Sequence, residues 1–210
     1  MEILPYLLFL FAYLLGSIPT SVWVGKIFYN KDIRHHGSGN AGATNTIRVL
    51  GYKAGIPVLI FDILKGWLAV QLYRFIQDGS FDADLLVYFQ VGYGISAVLG
   101  HVFSIFLRFK GGKGVATLTG VGIALFSVQL LPVVAVFAIT FLLSRYVSLS
   151  SMLAAISLPL SQLFIYHQDH PALLVLSFLV ALAVPLTHRK NISRLLKGEE
   201  SKFFNWRSKK

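Results

Sequence analysis

Between Gly37 and Gly51 the chain reads GSGNAGATNTIRVLG, a polar, glycine-rich island between two long apolar segments. Gly37, Gly39 and Gly42 permit tight turns, in which successive backbone N–H groups can converge on one anion. Ser38, Asn40, Thr44 and Asn45 offer hydrogen bonds, and Arg48 carries a planar fork suited to phosphate or carboxylate. Lys26, Lys31, Arg34, His35 and His36 lie just upstream and make the surroundings basic. Phosphate binding is the chemistry that these residue types favour. The plainer alternative is a surface turn whose arginine meets lipid headgroups.

A second such run, FKGGKGVAT, starts at Phe109. It is not a Walker A loop, because Gly114 rather than Ser or Thr follows Lys113. Gly111, Gly112 and Gly114 still permit a nest, Lys110 and Lys113 supply charge, and a helix opening there would add its positive dipole end. An ordinary basic turn at a membrane face is the alternative. The third segment, HRKNISRLLKGEESK, places His188 and Asn191 at i, i+3 on one helical face. Histidine is the natural proton acceptor near neutral pH, although one at the end of a membrane helix is more often merely interfacial. Asp62 and Lys65, also i, i+3, are expected to form an ion pair that packs the bundle or contributes to the polar site. His101 is expected to make a core hydrogen bond, and Gly51 with Gly55 to pack two helices closely.

Other chemistries are excluded. GSGNAG matches G-x-G-x-x-G only formally, since no buried strand precedes it and no βαβ unit surrounds it. None of the six histidines begins an HxxxxD pattern, there is no HExxH, and no acidic cluster offers a divalent metal site. The aspartate-rich helix that CDP-alcohol phosphotransferases require is missing as well. With no cysteine there is no thiolate chemistry and no disulfide. No metal and no cofactor are expected.

The elements that must position these residues are membrane helices. Of the 210 residues 55% are hydrophobic and 13% charged, and uncharged runs occupy Ile3–Gly25, Leu85–Leu107 and Tyr146–Gln168. A spanning helix needs about 20 apolar residues, so the expected class is an all-α, polytopic membrane helix bundle. The first run is too long, and lacks the cleavage pattern, for a signal peptide. The net charge of +10 is concentrated in three segments, 26–53, 108–114 and 188–210, which hold 16 of the 19 Lys and Arg residues. Basic loops flanking spans mark the cytoplasmic side, and without a binding module the charge does not point to nucleic acid. The loop from Gln77 to Asp84, with three aspartates and no base, is expected outside. Helices one to three are expected at Ile3–Gly25, with a kink or close contact at Gly16 and Pro19, Ala54–Ile76 and Leu85–Leu107. A cytoplasmic tail then demands an even number of further spans, met if 114–144 folds back near Pro132. Seven spans follow, with the N-terminus out and the C-terminus cytoplasmic; five is the alternative.

GSGNAGATN with Arg48, GHVFSIFLRFKGGKGVAT and HRKNISRLLKGEESK together resemble the three motif regions of the bacterial acyl-phosphate-dependent glycerol-3-phosphate acyltransferases. GSIPTS and DILKG at Asp62–Gly66 are also similar, and the matches follow family order along most of the chain. Ser104 replaces a proline usual in the family. The resemblance implies one integral-membrane acyltransferase domain over residues 1–210, multi-pass in the bacterial inner membrane, with its site facing the cytoplasm. It implies transfer of an acyl group from long-chain acyl-phosphate to the 1-hydroxyl of sn-glycerol 3-phosphate, with membrane lipid and a soluble acyl-phosphate synthase as partners. By the same resemblance Ser38, Asn40, Arg48 and Lys113 bind phosphate oxygens, and the loop glycines add backbone donors. His188 and Asn191 orient the glycerol phosphate, and either His188 or a substrate phosphate takes the proton. A transporter or channel for phosphorylated metabolites, with Asp62 and Lys65 along the path, is the reading from another class.

Overall fold

A computed structural model describes residues 3–203, and among these every regular element is a helix. Glu2 and the tail bases Arg207, Lys209 and Lys210 lie outside the described residues. The chain divides into two compact units, Met1–Leu125 and Phe126–Lys210.

In the first unit the opening apolar run becomes two helices, α1 (Leu4–Ser17) and α2 (Thr20–Tyr29), bent by 41°. Pro19 causes the break. It disfavours helical backbone at Ile18, whose ψ of 114° is extended, and it has no N–H to continue the ladder. After the glycine loop comes α3 (Ala43–Leu50), and Gly51, at φ 88°, turns the chain at once into α4 (Tyr52–Gln71). Only glycine adopts that backbone without strain. A side chain at Gly55 would collide with Ile47, so this glycine pair serves a corner and a close helix contact.

Helix α5 (Ala83–Val102) starts at Asp82, whose carboxylate accepts the Leu85 N–H at 2.7 Å. It lies backbone to backbone with α1, since a Cβ at Gly16 would strike the Ala97 carbonyl and one at Gly100 the Tyr13 carbonyl. Helix α6 (Val115–Phe126) meets α4 in the same way, through Gly66 against Thr117 and Gly120 against Ile63. Small residues allow this approach where lipid gives helices no hydrophobic reason to associate. Fully buried Tyr93 reinforces it by donating to the Pro5 carbonyl at 3.0 Å.

In the second unit α7 (Leu131–Ser144) packs on α8 (Val147–Phe164), and α8 on α9 (Pro171–Thr187). A 61° bend then leads into α10 (Arg189–Leu196). The break expected near Pro132 falls instead at a 3-10 segment, Ser127–Leu130, with Ser127 at φ 47°. Pro132 sits in the first turn of α7, where its missing N–H has no partner to lose.

Among the described residues four stretches are long and apolar enough to cross a bilayer: Tyr52–Phe75, Ala83–Leu107, Val115–Ser144 and Val147–Phe164. The two bent pairs raise the number to six. The expected seven divides 115–144 in two, whereas by length and composition Val115–Ser144 is one interrupted candidate of 30 residues. Only 11% of its apolar window is buried, and Leu143 on α7 is 83% exposed. Apolar surface on this scale requires lipid around it.

Candidate active site

The glycine loop is built around one amide. Asn45, in the first turn of α3 and 1% exposed, donates from Nδ2 to the Ile33 and His36 carbonyls at 2.9 and 3.1 Å. Its Oδ1 accepts the Ser38 N–H at 2.8 Å. Both donors and an acceptor are thereby engaged, so Asn45 holds the loop together. Gly37 and Gly39, at φ 62° and 73°, let the chain wrap this amide. A Cβ at Gly37 would collide with Asn45 Oδ1 and lie 3.4 Å from Arg48 Cδ, so the Arg48 stem runs beside Gly37. Ser38 is exposed, while Asn40, Thr44 and Arg48 are half-buried. Gly39 and Gly42 N–H groups close turns onto the His36 and Asn40 carbonyls.

Upstream, Asp32 accepts from Arg34 Nε and Nη2 at 2.9 and 2.6 Å and lies 3.3 Å from Lys26 Nζ. The Arg34 side-chain hydrogen bonds, against burial, hold the Asp32 carboxyl far below the usual carboxylate range, helped by the Arg34 backbone N–H and by Lys26. One acid thus fixes two of the five bases in this segment and leaves the net charge positive.

The second glycine loop folds back onto the end of α5. Gly111 and Gly112 N–H groups donate to the Val102 and His101 carbonyls at 3.0 and 3.1 Å. These donors close the loop itself, so glycine is needed here for close approach rather than as an anion nest. A Cβ at Gly112 would collide with His101 Nε2 and lie 2.6 Å from the Ala41 carbonyl, which brings the two glycine loops side by side. Lys110 is exposed, Lys113 half-buried, and Gly114, at φ 81°, buried at the mouth of α6.

Beneath the loops lies a polar recess of about 190 Å³ of empty space, counting that open to solvent, lined in part by Ser17, Thr20, Asp62, Lys65, His101 and Gly112. Lys65 Nζ meets Asp62 Oδ1 at 2.8 Å and donates to the Ile18 carbonyl at 3.0 Å. Thr20 Oγ1 donates to Asp62 at 2.5 Å. The Ile18 carbonyl is available because Pro19 broke the helix there. The expected ion pair is present, with both side chains buried. His101 has its Nδ1 3.1 Å from Thr117 Oγ1 and 3.8 Å from Asp62 Oδ1. Thr20, Thr117 and His101 as one network with Asp62 escaped the sequence; the only local hint was that DILKG buries opposite charges on one helix face.

In the second unit His188 caps α9 at the bend and is 3% exposed. Its Nδ1 lies 2.8 Å from the Val184 carbonyl. A carbonyl only accepts, so Nδ1 is inferred to carry the proton, and the lone pair of the neutral ring then sits on Nε2. Asn191 Nδ2 donates to Glu200 Oε1 at 2.6 Å, Ser148 Oγ to the same oxygen at 2.7 Å, and Arg194 Nε to Oε2 at 2.7 Å. Burial opposes the charge of Glu200, yet these three hydrogen bonds and Arg194 hold its carboxyl below the usual range. Glu200 stands among basic neighbours with no motif to mark it in the sequence, yet it fixes Asn191 and the segment after α10 onto α8.

A family model described as glycerol-3-phosphate acyltransferase matches residues 6–198. A glycerol-3-phosphate acyltransferase of Listeria monocytogenes serovar 1/2a is 46% identical over 196 residues, 93% of this chain and 95% of its own. Glycerol-3-phosphate acyltransferase 2 of Bacillus anthracis is 47% identical over 193 residues, 91% and 95% of the two chains. Crystal structures of PlsY (YgiH), an integral membrane glycerol 3-phosphate acyltransferase, are similar at 37% identity over 94% of each chain. The TM-score is 0.83 for the glycerol 3-phosphate form and 0.76 for the lysophosphatidic acid form.

Proposed function

The chain belongs to the glycerol-3-phosphate acyltransferase family, and we propose that its donor is acyl-phosphate and its acceptor the 1-hydroxyl of sn-glycerol 3-phosphate. The hydroxyl oxygen bonds to the acyl carbonyl carbon, the bond from that carbon to the phosphate oxygen breaks, and 1-acyl-sn-glycerol 3-phosphate and phosphate leave. An acyl-phosphate is a mixed anhydride with a good leaving group. Orientation and neutralisation of phosphate charge can therefore supply much of the acceleration. The observation that carries this reading is the side-by-side packing of the two glycine loops at Ala41 and Gly112, which bear Arg48 and Lys113.

In this scheme Ser38, Asn40, Arg48 and Lys113 bind phosphate oxygens, with Thr44 and Lys110 at the margin. His188 and Asn191 orient the glycerol phosphate, and a phosphate oxygen of the substrates takes the hydroxyl proton. Seven spans, with the N-terminus outside, put residues 26–53, 108–114 and 188–210 on the cytoplasmic face of the inner membrane. A soluble acyl-phosphate synthase would deliver the donor there.

The test is product formation by purified protein in detergent, with acyl-phosphate and acyl-CoA in parallel. Turnover is expected with acyl-phosphate alone; comparable turnover with acyl-CoA would reject the donor assignment. A transporter would form no product, and its own activity would require sealed vesicles. A second result is expected at His188. Glutamine in its place keeps a hydrogen bond but cannot act as a base near neutral pH. His188→Gln should retain turnover within about tenfold, with the pH dependence of kcat unchanged. A fall of roughly 10²–10⁴-fold together with loss of the acidic limb would instead make His188 the base.

A further inference from the structure

We propose that His101 is a positioning residue for the loop that carries Lys113, acting through the contact of its Nε2 edge with Gly112. The residue links the end of α5 to α6, α4 and the second glycine loop. Its own carbonyl, at the end of α5, receives the Gly112 N–H. Its Nδ1 faces Thr117 on α6 and Asp62 on α4. Its Nε2 fills the place where a Cβ at Gly112 would stand, beside the Ala41 carbonyl of the first glycine loop. His101 is 8% exposed and lines the recess. Asp62 is itself fixed by Lys65 and Thr20, so the ring rests on a rigid base. The two edges therefore do different work: Nδ1 anchors the ring, and Nε2 sets the height of Gly112 and with it the next residue, Lys113. This rests on the proposed reaction, because the loop is taken to bind substrate phosphate.

His101→Asn separates the two edges. The asparagine amide reaches the Nδ1 position and satisfies Thr117 and Asp62, but it leaves nothing against Gly112. The melting temperature in detergent is expected to stay within a few degrees of wild type. KM for glycerol 3-phosphate, for acyl-phosphate, or for both should rise about tenfold or more, with kcat within about threefold. A residue that only satisfies Asp62 would be replaced fully by asparagine, so unchanged KM values in folded protein would overturn the proposal. A fall in kcat with both KM values unchanged would overturn it too. Should His101→Asn fail to fold, Thr117→Val keeps the ring and removes one anchor; a raised KM is again expected, and wild-type KM values would refute the idea. Gly112→Ala provides a second, independent reading. Its cost in kcat/KM should be smaller in the His101→Asn background, because the ring it collides with has gone, and simple additivity would count against the contact. Wild-type turnover in the same assay tests the reaction itself, so failure of the reaction and failure of this proposal are told apart.

Discussion

Lys65→Met is expected to cost about 3–5 kcal/mol of stability, because it strands a buried carboxylate beside an apolar side chain. Asp62 would keep only Thr20 at 2.5 Å and the distant His101, and the Ile18 carbonyl would keep only the Thr20 N–H at 3.1 Å. The measurement is denaturant-driven unfolding in mixed micelles. The control is the double variant Asp62→Leu/Lys65→Met, which removes both charges and should be far milder, since a buried pair contributes little net stability against apolar residues of similar size. A single variant no worse than the double would show that the pair is not held away from solvent.

Arg48→Lys is expected to lower kcat/KM by about 10–100-fold although the charge is kept, equivalent to the about 1.5–3 kcal/mol of a charge-assisted hydrogen bond. The Arg48 stem lies beside Gly37, so the guanidinium has a fixed origin from which a planar fork can meet two phosphate oxygens. A lysine ammonium on a flexible stem supplies charge without that geometry. Near-normal kinetics in the Arg48→Lys enzyme would mean that Arg48 only meets headgroups. The protein should remain folded in either case, because Asn45 anchors the loop.

Local chemistry and backbone constraint settle a good deal without any neighbour. The uncharged runs require lipid, the basic segments define one class of loop, and Pro19 breaks the first run wherever it packs, since its ring restricts Ile18 in any surroundings. The motif order was enough to reveal the family resemblance, and the Asp62–Lys65 pair was legible because three residues of helix put both side chains on one face. What the sequence could not decide is which polar side chain serves the fold. Asn45 and Asn40 are the same residue type in the same loop, yet Asn45 is locked by the Ile33 and His36 carbonyls. Gly111 and Gly112 suggested an anion nest until the carbonyls at the end of α5 took their N–H groups. Glu200 reaches Ser148 from 52 positions away, and Asp62 reaches Thr20 from 42. A hydrogen bond is satisfied by whatever the packing brings within 3 Å or so, and that is set by how glycine-lined helices seat against one another, not by spacing along the chain.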